Sequence, residues 1–167
     1  MHPLLQQAFR HLARVPVAYA LLAFLTARRI AVRGWSMYPA LAPGERVLFD
    51  ALAYRLAPPR SGDLVLALHP ARPRLRLLKR VAAVPGDIVA VHDGRCWVNG
   101  RLTGSAPYEP DGGAPAGTVL GRDEYFLLGD AAHRSTDARE FGAVARSAIL
   151  ARAWLVYWPP GKVRRVS

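Results

Sequence analysis

The chain reads as a mainly β protein of antiparallel strands, and three observations predict it. From Ile30 onward the apolar residues fall in short runs rich in Val, Leu and aromatics, each bounded by Gly, Pro, Asp or Asn. Asp93-Gly94 and Asn99-Gly100 each close such a run, and both dipeptides supply the positive φ that tight hairpin turns need. At 167 residues the chain has room for one domain, or one domain and a short appendage.

Taken in order, the first 33 residues stand apart. Residues 15–27, VPVAYALLAFLTA, form an uncharged apolar run whose helical length of roughly 20 Å falls short of a roughly 30 Å hydrocarbon core. If Arg14, Arg28 and Arg29 snorkel, Leu12 to Ala31 reaches across, so a short N-terminal helical membrane segment is expected. A cleaved signal peptide and a buried or interfacial helix are the other readings. Arginines flank both ends of the run, so charge does not set an orientation. The strand candidates follow as RVLFDALAYRL from Arg46, DLVLALH from Asp63, LRLLKRVAAV from Leu75, DIVAVH from Asp87, RCWVNG from Arg95, EYFLLGD from Glu124 and ILARAWLVYW from Ile149. Residues 103–122, rich in Gly, Pro and Ala, read as a surface loop.

Composition excludes several function classes. Hydrophobic residues make up 51% and charged residues 21%, which fits neither wholesale disorder nor a polytopic membrane protein. The single cysteine, Cys96, excludes an internal disulfide framework and a thiolate-rich zinc site. The five histidines show no metal-ligand spacing, so neither metal nor cofactor is expected. A formal charge of +11 favours an anionic partner such as lipid headgroups. The arginines are scattered rather than interleaved with exposed aromatics, so nucleic acid is not expected.

Of the 23 basic residues only Lys79 and Lys162 are lysine, which singles out Lys79. In a strand from Leu75 to Val84 the odd positions are Leu75, Leu77, Lys79, Val81 and Ala83, so Lys79 shares the apolar face. A desolvated ammonium loses its charge more easily, and a neutral amine is a base; guanidinium offers no such route. From periodicity alone, a lysine snorkelling at a strand end or paired with a carboxylate explains the position as well. A base needs a nucleophile, and Ser36 stands in the turn-prone stretch VRGWSMYPAL, where Gly34 permits close backbone approach and main-chain N–H groups beside the serine suit a developing oxyanion.

Four ordered boxes carry a resemblance. Gly34-Trp35-Ser36-Met37-Tyr38-Pro39, Gly62-Asp63-Leu64-Val65, Lys79-Arg80-Val81 leading to Pro85-Gly86-Asp87, and Gly129-Asp130 leading to Ser135-Thr136-Asp137-Ala138-Arg139 and Phe141-Gly142 are similar to those of bacterial type I signal peptidases. The resemblance implies a signal-peptidase-like β domain and a Ser/Lys dyad protease that cuts signal peptides from exported precursors after small residues in an AxA pattern. It also implies an anchor in the cytoplasmic membrane, with the catalytic domain on the outer face. By position, Ser36 would be the nucleophile and Lys79 the general base. Ser135 would orient the amine, and Asp137 with Arg139 would form a supporting ion pair. Gly34 and Ser36 would form the nucleophile loop, whose main chain supplies the oxyanion donors. Trp35, Met37 and Tyr38 would shape a small-residue pocket, lie against the bilayer, or simply pack. The chain then divides into a segment 1–33 holding the candidate anchor and a peptidase domain 34–167, with the cap reduced to about 103–122. The expected partners are precursors with N-terminal signal peptides and anionic membrane lipid, and the expected state is a monomer.

The chain departs from the family at Ala131 and Ala132, where Asn and Arg are usual, and at Ala40, where Thr is usual. These changes bear on efficiency or substrate range rather than on the dyad. The other readings are a dedicated maturation peptidase of the same fold and a non-catalytic basic binding protein that keeps it. A LexA-type self-cleaving regulator is disfavoured, because about thirty residues before Gly34 are too few for a DNA-binding domain.

Overall fold

The structure is a computed structural model that describes residues 19, 21–22, 24–103 and 116–166. Its strands are β1 (Arg28–Ala31), β2 (Arg46–Asp50), β3 (Leu64–His69), β4 (Arg72–Ala83), β5 (Ile88–His92), β6 (Arg95–Val98), β7 (Arg101–Leu102), β8 (Thr118–Val119), β9 (Glu124–Leu128), β10 (Val144–Ala145), β11 (Ile149–Trp158) and β12 (Arg164–Arg165). Two single-turn helices, α1 (Ala53–Leu56) and α2 (Ala138–Phe141), interrupt them. The larger sheet runs β1-β2-β11-β3-β4-β9-β10, with β12 on β11, and the smaller runs β7-β6-β5-β8. Among the described residues every pairing is antiparallel, as the hairpin chemistry predicts.

Both predicted turns form. Asp93 and Gly94 take φ of 50° and 70° between β5 and β6, and Asn99 and Gly100 take 50° and 78° between β6 and β7. Each is a two-residue connection with both central residues left-handed, the twist that joins antiparallel strands without splaying them.

The run RVLFDALAYRL corrects the reading as one strand. It breaks after Asp50, whose Oδ1 accepts the N–H groups of Leu52 at 2.8 Å and Ala53 at 3.1 Å. A carboxylate that satisfies local N–H groups diverts the chain from the ladder, and the helix-favouring Ala-Tyr-Arg-Leu stretch then closes α1.

β3 is central and buried on both faces. Leu64 and Leu66 join a cluster with Met37, Leu41, Phe49 and Val156, while Val65 and Ala67 join Val81, Tyr125 and Leu127. That two-sided burial explains its unbroken apolar run, and each such Leu or Val contributes about 1.5–3 kcal/mol. β4 behaves differently along its length. Its outer half is exposed, including Leu75, whereas Lys79, Val81 and Ala83 alternate inward as the period-2 reading requires. β9 pairs with β4 only from Arg80 to Ala83, so Arg72–Lys79 has β3 on one side and an open edge on the other.

The sheet already begins inside the segment 1–33, where β1 pairs with β2. Residues 19, 21–22 and 24–26 of the apolar run are helical, with Leu21, Leu22, Phe24 and Leu25 exposed. The rest of 15–26 lies outside the described residues, among which no helix is long and apolar enough to cross a membrane. Of the loop 103–122, residues 104–115 lie outside the described residues, while Thr118–Val119 form β8 against β5 and Leu120 is buried.

Candidate active site

Ser36 sits in a loop closed at its neck by two main-chain hydrogen bonds, Val32 N–H to the Glu45 carbonyl at 2.8 Å and Gly44 N–H to the Val32 carbonyl at 3.0 Å. Met37, 1% exposed, and Leu41 are driven into the core on either side of a short turn, which leaves Ser36 between a buried anchor and open space. Leu41 N–H bonds the Met37 carbonyl at 2.8 Å and Tyr38 N–H the Trp35 carbonyl at 3.0 Å, so the main chain around the serine is tied locally. Gly34 serves this loop through its φ of 82°, which L side chains rarely adopt. Close approach is not its reason, because a β-carbon there would meet nothing within 4 Å.

Lys79 is 3% exposed. Its Nζ donates to Ser135 Oγ at 2.7 Å, across 56 residues of sequence. Burial holds the amine below the usual lysine range; the Asp137 carboxylate pulls it back up, and Arg139 pushes it down. The lysine's hydrogen-bond partner is therefore a neutral hydroxyl, with the nearest strong carboxylate one group further away.

That carboxylate is neutralised elsewhere. Asp137, 0% exposed, receives the Arg139 guanidinium twice, Nε to Oδ1 at 2.9 Å and Nη2 to Oδ2 at 2.8 Å, and also the Gly129 N–H at 2.9 Å. Although burial alone would raise it, the Arg139, Gly129 and Ser135 donors hold its carboxyl below the usual carboxylate range. Arg139 spends its remaining N–H groups on the carbonyls of Gly94 at 3.1 Å and Ala132 at 3.0 Å. The Asp137–Arg139 pair is the buried post on which Ser135 stands.

Ser36 and Lys79 line one cavity of about 530 Å³, together with residues of β1, Met37 and the open edge of β4. The coil of the sheet brings β1 and β4 to face each other there, although three strands separate them in the sheet order. Met37 reaches this cavity, but Trp35 and Tyr38 do not. Those two rings are about half exposed, pack edge to face at 5.5 Å, and carry Arg134 over Trp35 at 5.6 Å.

The structure adds residues to which sequence reasoning assigned no role. Gly129 is pressed between Ser135 and the Ser36 main chain: a β-carbon there would lie 2.1 Å from Ser135 Oγ and 2.7 Å from the Ser36 carbonyl oxygen. Two residues on, Ala131 N–H bonds that same Ser36 carbonyl at 3.0 Å. Ala131 and Ala132 thus hold the site through their main chain, which needs no polar side chain. Asp130 pairs with Arg80 through both oxygens at 2.9 Å, fixing the turn to the residue after Lys79. Arg164 reaches the Ser36 loop across a long stretch of sequence, bonding Glu45 at 2.8 and 2.9 Å and the Ala40 carbonyl at 2.7 Å. The box Gly129-Asp130 was a signal for the first of these; nothing in the sequence marks Arg164. Among the described residues no group of three or more His, Cys, Asp or Glu side chains comes together that would hold a metal.

Chemically, a hydroxyl and a desolvated amine in one cavity, with main-chain N–H groups beside the hydroxyl, suit acyl transfer. The family described as "Signal peptidase, peptidase S26" matches residues 5–158. The chain is 31% identical over 134 residues to a probable signal peptidase I-2 of Synechocystis, covering 77% of this chain and 62% of that protein. It is also 31% identical over 136 residues to a signal peptidase I of Leptolyngbya laminosa, covering 77% and 67%. A mitochondrial ATP-independent inner membrane protease subunit 1a of Arabidopsis thaliana is 34% identical over 131 residues, covering 77% and 69%. The chain thus spans less than two thirds of the Synechocystis protein and about two thirds of the other two.

Proposed function

The chain belongs to the signal peptidase family, peptidase S26, and on that premise we propose that it is a membrane-associated serine endopeptidase that removes signal peptides from exported precursors, cutting after small residues. The observation that carries the reading is that Lys79, whose buried amine is bonded to the neutral Ser135 hydroxyl, lines one cavity with Ser36.

In the first half-reaction the Ser36 hydroxyl attacks the carbonyl carbon of the scissile peptide and its proton passes to the Lys79 amine. The resulting ammonium then protonates the departing amine of the mature protein, leaving an ester on Ser36. Water, deprotonated by the same amine, hydrolyses that ester and restores the serine. Ser135 is the positioning group: with its own proton turned to Asp137, its oxygen accepts from Lys79 and leaves the amine lone pair for Ser36. Gly34 carries no hydroxyl, so the oxyanion is held by main-chain donors, that of Ser36 among them. General-base transfer is worth about 10²–10⁴ in rate, and one oxyanion donor about 10²–10³.

Met37 lines the cavity and favours small side chains next to the scissile bond. Trp35 and Tyr38, exposed beside the cavity, meet the lipid headgroup layer. Residues 15–27 anchor the protein in the cytoplasmic membrane with the catalytic domain on the outer face, and the net positive charge holds it to anionic lipid. The working unit is the monomer.

The test is cleavage of a precursor bearing an AxA site, in detergent or liposomes, by the wild type, Ser36→Ala and Lys79→Arg. Cleavage after the small residue by the wild type alone, with both variants folded, supports the reading; an inert wild type, or an active variant, overturns it.

A further inference from the structure

The cavity lined by Ser36 and Lys79 has a cationic lining. Arg29 on β1, Arg33 just before the nucleophile loop and Arg76 on β4 all line it, and its lining includes no carboxylate. All three side chains are exposed. Among the described residues none of the three stands within ion-pair distance of a carboxylate, whereas Arg80, Arg139 and Arg164 are each matched to Asp130, Asp137 and Glu45. The excess of arginine leaves many of them without an ion pair, so what marks these three is that they line one cavity.

Guanidinium groups recognise carboxylates through paired N–H donors, and a concave wall of one sign concentrates ligands of the other. Arg33 stands three residues before Ser36 and Arg76 three before Lys79, so cationic residues adjoin both Ser36 and Lys79 in the cavity lining.

We propose that Arg29, Arg33 and Arg76 make the cavity selective for precursors carrying an acidic side chain close to the cleavage site. The inference rests on the peptidase reading and deepens it by naming the chemistry of the preferred substrate. A lipid phosphate matches the same guanidinium groups, but their place on the wall of the cavity that contains Ser36 favours the peptide.

The experiment separates binding from turnover. Fluorescent peptides with one AxA site and Asp, Asn or Lys just before or just after that motif are bound to the full chain carrying Ser36→Ala, in detergent, alone and combined with Arg29→Gln, Arg33→Gln and Arg76→Gln. The expected result is that an Asp peptide binds at least about tenfold more tightly than its Asn counterpart. That ratio falls toward one in the triple Gln background and at high salt, and a triple Lys background restores part of it. Equal affinity for Asp and Asn peptides overturns the proposal, as does a ratio that survives the Gln substitutions. Phosphatidylglycerol vesicles form a further arm: if the Gln substitutions weaken only vesicle binding and leave the peptide ratio intact, the arginines serve lipid and the proposal fails. Cleavage of the Asn peptide by the wild type tests the peptidase reading separately, because binding to the Ser36→Ala protein requires no turnover.

Discussion

Gly129 and Ser135 are packed so closely that a single methyl group on the glycine would stand 2.1 Å from the serine oxygen. The same methyl would lie 2.7 Å from the Ser36 carbonyl, a main-chain atom with little room to yield. Gly129→Ala therefore pushes Ser135 off the Lys79 amine, shifts the Ser36 loop, or both. An error of about 1 Å in catalytic geometry costs roughly 10²-fold, so kcat falls by about that factor or more. Steady-state kinetics beside a circular dichroism spectrum separate this from unfolding, and near-wild-type kcat in a folded Gly129→Ala protein would contradict it.

Lys79 ties activity to pH with a definite sign. In the proposed mechanism its amine acts only when neutral, and burial holds its pKa below the unperturbed 10.5. Activity therefore rises with pH through that depressed value and levels off above it. Lys79→Arg keeps charge and bulk but cannot deprotonate, so turnover drops by about 10²–10⁴. Stability follows the same sign: between the depressed value and 10.5 the unfolded chain binds more protons than the folded one, so stability rises with pH across that window. Lys79→Met removes this slope and raises the melting temperature at neutral pH, which denaturant and thermal melts over a pH series will check.

Local chemistry was legible in the sequence, and long-range contact was not. Asp93-Gly94 and Asn99-Gly100 announced their turns because a left-handed pair needs those residue types wherever it occurs. The inward face of Lys79, Val81 and Ala83 followed from period 2, but Leu75 on the same face is exposed, since β4 there runs beyond its β9 neighbour. At the site, the two glycines exchanged reasons. Gly34 is needed for its φ, and the close approach expected there occurs at Gly129, which only the fold places against Ser36. α1 was missed because the Asp50 carboxylate that breaks the strand resembles any polar residue at a strand end.

Asp137 is the most buried charge beside the dyad, and its whole environment is built for the ionised form. Asp137→Asn leaves Arg139 facing a neutral amide and gives Gly129 N–H a weaker acceptor. Breaking one partner of such a pair costs about 3–5 kcal/mol, read as a lower urea midpoint with an unchanged slope. The carboxyl is held below its unfolded value near 3.8, so its contribution is present above that pH and is lost as pH falls through the depressed native value. The wild type should lose stability in that acid range, and Asp137→Asn should lack that component.

Arg164 latches the Ser36 loop from 119 residues away in sequence. Its two bonds to Glu45 and one to the Ala40 carbonyl fix the side of the loop opposite Ser36, while the Ala42 N–H completes the shell of the same carboxylate at 3.0 Å. Glu45 is buried, and the Arg164 hydrogen bonds hold its carboxyl below 4.5. Arg164→Ala strands that charge and frees the Ala40 carbonyl, for a loss of about 1.5–3 kcal/mol. Glu45→Gln removes the charge but keeps the shape, so adding it to Arg164→Ala costs less than it does in the wild type. The cycle then gives a coupling of about 0.5–3 kcal/mol. Because Met37 and Leu41 still anchor the loop in the core, it loosens without detaching, and kcat falls by less than in Gly129→Ala. A coupling of zero would mean that the loop is held by its apolar anchors alone and that the C-terminal strand β12 only caps the sheet.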